Sequence, residues 1–203
     1  MTQGRLIAVV GPSGVGKDSV IAGIHDANPA MHLVRRVITR APELGGEDYD
    51  AVSVSEFEAM IQNGAFTVHW GAHGLHYGVP VTVKYQLNKG TDCLVNFSRQ
   101  ALTKAANVFP RLLVLNITAK PETLARRLAE RGRETEDEIV GRLAQADKPL
   151  PDGLNVIHLS NDGPLSETLA RATALLSSLD RSCEVSETRA SAAPVAAHRK
   201  TPQ

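Results

Sequence analysis

The chain contains little of what marks several protein classes. Its two cysteines, Cys93 and Cys183, lie far apart and have no metal-ligand spacing, so a disulfide scaffold is not expected. Basic and acidic side chains number 22 each, and this balance argues against a general nucleic-acid-binding protein. The sequence lacks a secretory pattern at its start and an apolar run long enough to span a membrane. These absences predict a cytoplasmic protein that binds neither membrane nor nucleic acid.

Short aliphatic runs alternate with amphipathic segments, which predicts an α/β domain with a central parallel sheet covered on both faces. Apolar residues make up 42% of the 203 residues, enough for one sizeable core. The predicted strands are residues 5–10, 33–39, 91–97, 111–118 and 154–162, with short strand-like pieces at 65–79. The predicted helices are residues 17–28, 120–132, 134–146 and 165–179, and one more between an N-cap at Ser55, with Glu58 completing a capping box, and Gly64.

The domain is predicted to cover residues 1–183. The remaining segment, 184–203, is rich in Ala, Ser, Thr and charged residues and has no large apolar residue beyond valine. Such a composition cannot bury enough apolar surface to order the chain. We therefore predict a disordered tail.

The segment GPSGVGKDS matches a phosphate-binding loop at Gly11, Gly16 and Lys17. It follows a predicted strand and opens a predicted helix, which is the context that this motif requires. Glycines let backbone N–H groups face phosphate oxygens, and the lysine neutralises charge on the β- and γ-phosphates. We expect the loop to bind ATP through Gly11, Pro12, Ser13, Gly14, Val15, Gly16, Lys17, Asp18 and Ser19.

The residue after the lysine departs from the motif. A Ser or Thr hydroxyl usually follows, but here Asp18 comes first and Ser19 is one step late. A carboxylate is a hard oxygen ligand, which suits Mg²⁺ directly or through water. An acidic residue also suits the first turn of any helix. The sequence leaves both roles open for Asp18.

Beyond the loop, the order of motifs resembles that of guanylate kinases. ITRAP, EDYDAVSVSEFEAMIQNGAF, HGLHYGV, RRLAERGRETEDEIVGRL and SNDG follow GPSGVGK in that order, within residues 5 to about 180. The resemblance implies a three-layer P-loop kinase fold. It also implies an inserted acceptor-binding segment at about 33–82 and a short lid at about 131–142.

The resemblance assigns roles to individual residues. Arg40, in ITRAP, matches an arginine that grips the acceptor's phosphate, and Tyr49 and Tyr77 match two tyrosines that hydrogen-bond it. Arg131 and Arg142 match lid arginines that stabilise the transferring phosphoryl group. Together with Lys17, the two lid arginines are the implied catalytic residues.

Departures from the guanylate-kinase pattern fall in the acceptor segment. Where that family reads guanine with two hydroxyls and a glutamate, this sequence has Arg36, Val68 and Val79. Glu43 replaces a further acceptor-phosphate arginine. Because a site that loses its hydrogen-bonding groups loses discrimination by orders of magnitude, guanine is not the expected acceptor. Arg36 instead suits extra anionic groups.

This combination is similar to the ribose 1,5-bisphosphate phosphokinases, guanylate-kinase relatives of phosphonate breakdown. GPSGVGKDS, LVNFSR, RGRE and NDG resemble that family's pattern in order and spacing. The resemblance implies that ATP, with Mg²⁺, phosphorylates a phosphosugar, ribose 1,5-bisphosphate, to 5-phosphoribosyl 1-diphosphate. The attacking phosphate oxygen is already ionised near neutral pH, so no strong general base is needed and positioning dominates.

Several further residues keep two interpretations. Asn96 and Arg99 follow a predicted central strand, where ligands of open α/β sheets bind, so we expect both to contact substrate; a role at a Mg²⁺-bound water or a helix cap is the alternative for Asn96. Asn161 either contacts the adenine end of ATP or belongs to a turn with Asp162. Arg131 and Arg133 also suit a helix C-terminus by charge alone.

Two other groups of side chains have simpler alternatives. Arg35 and Arg36 face opposite sides of a strand, and either one reaches the acceptor, with Arg36 favoured, or both are solvated. His69, His73 and His76 lack the neighbouring carboxylate or thiol of a metal site. They are expected to pack or to hydrogen-bond in the acceptor segment.

Two rival functions remain open from sequence. One is a nucleoside monophosphate kinase with altered base preference. The other is a non-catalytic binding module of the guanylate-kinase type; Lys17, Arg131 and Arg142 argue against it because a scaffold has no need of them. The oligomeric state is left open.

Overall fold

The structure is a computed structural model that describes residues 2–41, 47–132, 135–144, 146 and 148–190. Within these ranges the side chains of Arg131, Glu136, Glu138 and residues 180–190 are not described. Glu43 and Arg133, which the sequence analysis singles out, lie outside the described residues. No helix in the described ranges is long and apolar enough to cross a bilayer.

Strands and helices alternate along the chain, as predicted. The strands are β1 (Leu6–Val10), β2 (His32–Leu33), β3 (Arg36–Ile38), β4 (Tyr49–Ala51), β5 (Phe66–Ala72), β6 (Leu75–Pro80), β7 (Cys93–Asn96), β8 (Leu112–Thr118) and β9 (Val156–Ser160). The helices are α1 (Lys17–Ala27), α2 (Val54–Gln62), α3 (Thr82–Asn88), α4 (Leu102–Val108), α5 (Pro121–Arg131), α6 (Glu136–Ala144) and α7 (Leu165–Ala190), with a 3-10 turn at Arg99–Ala101.

A five-stranded parallel sheet in the order β2-β7-β1-β8-β9 forms the centre of the domain. Every residue of β1 is buried, because the continuous apolar run LIAVV has a covered face on each side. On one face, Ile7 and Val9 pack in a core with α1 and α7. On the other, Leu6, Ala8 and Val10 pack in a core that includes α3, α4 and β5. Both cores end at the carboxyl edge of the sheet, where the phosphate loop begins.

A second, four-stranded sheet in the order β4-β3-β6-β5 lies within the range of the predicted acceptor-binding insertion, about 33–82. Its longest pairing is the antiparallel hairpin of β5 and β6. The hairpin turns at His73 and Gly74, with φ of 53° and 73°; a two-residue turn with both φ values positive matches the twist of the paired strands. Val68 and Trp70 of β5 point into the main core. The second sheet is therefore packed against the first.

Two predictions about local structure need correction. The predicted strand 33–39 is two short strands in different sheets, since Val34 is the last residue bonded to β7 and Arg36–Ile38 pairs with β4 and β6. The capping box lies at Ser53 and Glu56, not at Ser55 and Glu58. The Ser-x-x-Glu pattern occurs twice at an offset of two residues, and the earlier copy forms both reciprocal bonds.

The C-terminal helix is longer than predicted. It continues to Ala190 rather than ending near residue 179, so it includes the first part, 184–190, of the segment expected to be disordered. Residues 191–203 lie outside the described residues. Strand β4 and helices α3 and α4 were not predicted.

Candidate active site

The phosphate loop joins β1 to α1 in a conformation that only glycines allow. Gly16 caps α1 with φ of 90°, and a Cβ on it would lie 2.8 Å from Asn161 Nδ2. A Cβ on Gly11 would lie 2.4 Å from the carbonyl oxygen of Ile117. The loop therefore lies so close to two neighbouring segments that glycine is needed at these positions. Its N–H groups at the start of α1 form a site for anions.

Asn161 stabilises this loop through a side-chain hydrogen bond. Its side chain is buried, donates through Nδ2 to the Val15 carbonyl at 2.8 Å, and accepts from Thr168 Oγ1 at 2.9 Å. Both ends of the amide are thus used within the protein. This position favours a structural role for Asn161 in holding the loop, rather than the predicted contact with adenine.

Two of the predicted catalytic cations contact the loop directly. Lys17 Nζ donates to the carbonyl oxygens of Gly11 and Pro12, at 3.0 Å each. Arg142, in the last turn of α6, donates to Ser13 Oγ at 2.6 Å. Arg131 is the last residue of α5, and its side chain lies outside the described atoms. The structure therefore brings Lys17 and Arg142 to the first half of the loop.

Asp18 lies beside Asn96 at the carboxyl end of β7. Asn96 Nδ2 donates to Asp18 Oδ1 at 2.9 Å, whereas Ser19 is exposed. In the described residues no group of three or more His, Cys, Asp or Glu side chains is placed to hold a metal by itself. One carboxylate beside an anion site nevertheless fits Mg²⁺, which binds through one or two protein carboxylates, substrate phosphates and water. The donor set thus fits a nucleotide-bound ion.

A second set of polar and aromatic side chains gathers on the second sheet. We call it the second-sheet cluster, and it consists of Arg36, Arg40, Glu47, Tyr49, Trp70 and Tyr77. Trp70 and Tyr77 are cross-strand neighbours on β5 and β6 and stack at 5.5 Å between centroids. The cluster joins all four strands of the second sheet and the segments after β3 and before β4.

Arg36 is the buried centre of the cluster, and the structure separates it from Arg35 as predicted. Arg36 is 6% exposed and pairs with Glu47 through Nη2, and its guanidinium lies over the Tyr77 ring at 5.0 Å. Arg35 is exposed and forms ion pairs with Asp48 and Asp50 at 3.2 and 2.9 Å. Only Arg36 therefore faces the interior.

Arg40 and the two tyrosines lie at the edge of the cluster. The Arg40 guanidinium stacks over Tyr49 at 4.5 Å, and Tyr49 donates its hydroxyl to the Ala41 carbonyl at 2.6 Å. Arg40 Nε is buried with no hydrogen-bond partner among the described residues. Burial raises the pKa of the Tyr77 phenol, and the charges of Arg36 and Arg40 oppose this rise. Tyr77 therefore stays a neutral hydrogen-bond donor near neutral pH.

The two valines at the positions of guanine readers belong to the apolar core. Val68 is 3% exposed and Val79 is fully buried, and they pair with each other across β5 and β6. Both lie in the core cluster beneath the second sheet. Neither has a polar atom to offer a base.

Arg99 holds the segment that follows α6. Its Nη1 donates to the carbonyl oxygens of Ala146 and Lys148, at 2.7 and 2.9 Å. The same arginine lines a cavity of about 550 Å³ between the phosphate loop at Pro12 and residues 148–154. These bonds give Arg99 a structural role at the mouth of the site; the predicted contact with substrate stays a prediction.

Some contributors to the site escaped sequence analysis. Glu47 and Trp70 are the partners that fix Arg36, and Arg127 reaches the Val15 carbonyl at 3.4 Å. Only long-range pairing reveals them, although the alternation of β5 places Trp70 on the same face as Val68. The histidines His69, His73 and His76 are exposed on the hairpin, and none joins a metal-binding group of described residues.

Comparison with known proteins places this architecture in a family. The family model described as Guanylate kinase matches residues 3–164. A guanylate kinase from Anaplasma phagocytophilum superposes with a TM-score of 0.64 at 22% identity, covering 87% of this chain and 86% of that one. A gluconokinase from Sinorhizobium meliloti 1021 gives 0.56 at 16% identity, covering 92% and 99%. The chain belongs to the guanylate-kinase family, and the predicted α/β P-loop kinase fold is confirmed.

Curated relatives narrow this placement within the family. A protein named ribose 1,5-bisphosphate phosphokinase from Ruegeria sp. (strain TM1040) is 49% identical over 175 residues, covering 86% of this chain and 92% of its own. One of the same name from Rhizobium etli (strain CIAT 652) is 44% identical over 180 residues, covering 87% and 91%. Within the guanylate-kinase family, the chain belongs with the proteins of this name, as the sequence resemblance indicates.

Proposed function

We propose that this protein transfers the γ-phosphoryl group of ATP to ribose 1,5-bisphosphate, giving 5-phosphoribosyl 1-diphosphate and ADP. Relatives that bear the corresponding name match at 40–49% identity over most of the chain. The phosphate loop supplies a donor site, and Arg142 adds a cation that contacts this loop. The second-sheet cluster supplies an acceptor site. No second function has a specific observation in its favour.

The observation that carries this choice of acceptor is the burial of Val68 and Val79. Both lie in the core under the second sheet, at the positions where guanylate kinases are expected to bind guanine. A site without hydrogen-bonding groups at these positions binds guanine weakly, because the polar edge of the base would lose its bonds to water without gaining others. The polar side chains that remain around Tyr77 are Arg36, Arg40 and Glu47. Such a set suits a phosphorylated sugar better than a base.

The transfer needs charge neutralisation more than proton removal. An oxygen of the C1 phosphate, ionised near neutral pH, attacks the γ-phosphorus of ATP. A new P–O bond forms, and the bond from the γ-phosphorus to the β–γ bridging oxygen breaks, so ADP leaves with the electron pair. Lys17 and Arg142, which contact the loop at Gly11, Pro12 and Ser13, stabilise the charge on the transferring group.

Magnesium would be held with the nucleotide by Asp18. When bound, it would neutralise charge on the β- and γ-phosphates. Asn96 fixes the Asp18 carboxylate through its 2.9 Å hydrogen bond, which leaves the other carboxylate oxygen for the ion or for its water. This arrangement gives the aspartate after Lys17 the role that a hydroxyl has in the usual loop.

Product analysis tests the proposal. With Mg-ATP and ribose 1,5-bisphosphate, ³¹P NMR should show a new diphosphate linkage at C1 in step with ADP formation. Ribose 5-phosphate is the matched control, because it lacks the attacking C1 phosphate. ADP formation without a sugar diphosphate would contradict the assignment.

A further inference from the structure

The charge of Arg36 is already neutralised within the chain. Its side chain is 7% exposed, and that of its ion-pair partner Glu47 is 16% exposed. The guanidinium rests on the rings of Tyr77 and Trp70, at 5.0 and 5.7 Å. A ligand phosphate that took over Arg36 would leave the Glu47 carboxylate without its counter-charge. Because separating a largely buried ion pair is strongly unfavourable, Arg36 serves to hold Glu47.

Glu47 has one carboxylate oxygen left over. Oε1 accepts the hydrogen bond from Arg36. Oε2 accepts no hydrogen bond from any described residue. It is not one of the fully buried unpartnered atoms, so it remains accessible. One oxygen of a mostly buried carboxylate is therefore left without a described donor. The carboxylate lies close enough to Tyr77 that its charge helps to raise the pKa of the phenol, against the opposing charges of Arg36 and Arg40.

An ionised carboxylate can only accept hydrogen bonds, and it repels phosphate. Its natural ligand in a phosphosugar site is a hydroxyl group, as in proteins that hold a ribose diol with an Asp or Glu. Arg36 and Arg40 each have a buried Nε without a hydrogen-bond partner among the described residues. Arg36 has Glu47 as its counter-charge, whereas the Arg40 guanidinium stacks on Tyr49, so Arg40 offers the complementary chemistry. The cluster thus combines a cation that suits phosphate with a carboxylate that suits hydroxyls.

We propose that Glu47 is a specificity-determining residue that accepts hydrogen bonds from the ring hydroxyls of the acceptor, and that Arg36 is the positioning residue that holds it. This inference rests on the proposed function, since it takes the acceptor to be ribose 1,5-bisphosphate. It replaces the expectation that Arg36 itself binds an acceptor phosphate.

The test compares three acceptors in wild type and in Glu47→Gln: ribose 1,5-bisphosphate and its 2-deoxy and 3-deoxy analogues. Glutamine keeps the shape and an oxygen for Arg36 but loses the charge. Wild type should prefer the ribose compound over at least one analogue by about 10- to 100-fold in kcat/KM, as expected for a hydrogen bond to a charged group. In Glu47→Gln this preference should shrink by about 10-fold. The kcat/KM for ribose 1,5-bisphosphate should fall, and that for the deoxy analogue should stay the same.

Asp48→Asn is the matched control, because Asp48 is the next residue, is 69% exposed and pairs with Arg35; its preference should equal that of wild type. Glu47→Asp, which keeps the charge, should retain part of the preference and serves if Glu47→Gln fails to fold. Equal losses on all three acceptors would make Glu47 merely structural and overturn the inference. Failure of wild type to use ribose 1,5-bisphosphate at all would instead overturn the proposed function.

Discussion

The phosphate loop and the second-sheet cluster are built in different ways. The loop is one strand, one turn and one helix start in sequence, and its contacts to anions come from backbone N–H groups placed by glycines at 11, 14 and 16. The cluster is assembled by side chains from separate strands, and its central ion pair joins residues 11 positions apart. The loop therefore suits any nucleoside triphosphate, whereas the cluster is the proposed site of acceptor selection.

The largest effect should come from breaking the loop at its lysine. Lys17→Met should lower kcat by on the order of 10²- to 10³-fold, because it removes a cation aimed at the transferring group, and should leave the KM for the acceptor nearly unchanged. Steady-state kinetics with both substrates varied would measure this. Lys89→Met is the control, since Lys89 lies at the end of α3 over Tyr85. A Lys17→Met protein that retains a tenth of wild-type kcat would contradict the account.

Breaking the cluster at Arg40 should affect the acceptor alone. Arg40→Met should raise the KM for ribose 1,5-bisphosphate by about 10- to 100-fold, the range for a lost charged hydrogen bond. The Kd for ADP, measured by calorimetry, should not change. Arg35→Met should have a small effect, because its ion pairs are exposed. Equal effects of the two substitutions would show that the cluster acts through general charge.

The hydrogen bond from Asn96 to Asp18 should matter for Mg²⁺ at the phosphate loop and not for the second-sheet cluster. Asn96→Leu should raise the Mg²⁺ concentration for half-maximal ADP affinity by roughly 10-fold, as for other groups that orient a metal ligand. ADP binding in EDTA should match that of wild type. Calorimetric titration at several Mg²⁺ concentrations gives both values. An unchanged Mg²⁺ requirement would show that Asn96 does not orient Asp18 for the metal ion.

The smallest effect concerns the turn that carries Asn161. Asp162 accepts hydrogen bonds from the Lys120 N–H at 2.7 Å and from Ser160 Oγ at 2.8 Å, and the Lys120 bond is the main cause that lowers its pKa. A lowered folded-state pKa stabilises the protein above the unfolded pKa of about 3.9 and loses that stabilisation as pH falls through the folded pKa. Wild type should thus exceed Asp162→Asn in stability at pH 7, and the gap should close below about pH 4.

Urea unfolding between pH 3 and pH 7 would measure that gap. Asp152→Asn, in the exposed loop before β9, should show none of this pH dependence. A gap that stays constant down to pH 3 would mean that the charge of Asp162 contributes nothing.

The sequence predicted much of the core and of the phosphate loop, but less of the second-sheet cluster, for a physical reason. Backbone sites depend on local conformation, so glycine spacing between a strand and a helix was enough to predict the loop at 11–19. Lys17 was expected in this loop, and Arg142 was expected, from the resemblance, in a lid; the structure places both side chains against the loop. The division of 33–39 between two sheets depends on which partner strand is near, and no local pattern contains that information.

The cluster shows the limit most clearly at Arg36. Its separation from Arg35 onto the opposite strand face followed from sequence, but its burial and its partner did not. Glu47 lies in the same motif, EDYD, as Tyr49, yet an acidic residue in a charged turn is normally solvated. Only the folded arrangement shows that it pairs with a buried arginine. The same holds for Asn161, whose turn was expected and whose bond to Val15 was not.

The choice of acceptor is decided by one ratio, kcat/KM for ribose 1,5-bisphosphate over kcat/KM for GMP, measured with Mg-ATP on a single wild-type preparation. The account predicts a strong preference for the bisphosphate, because Val68 and Val79 leave no group to hold guanine while Arg40 and Glu47 suit a phosphorylated sugar. A preference for GMP would contradict it, and would assign the second sheet to nucleotide recognition.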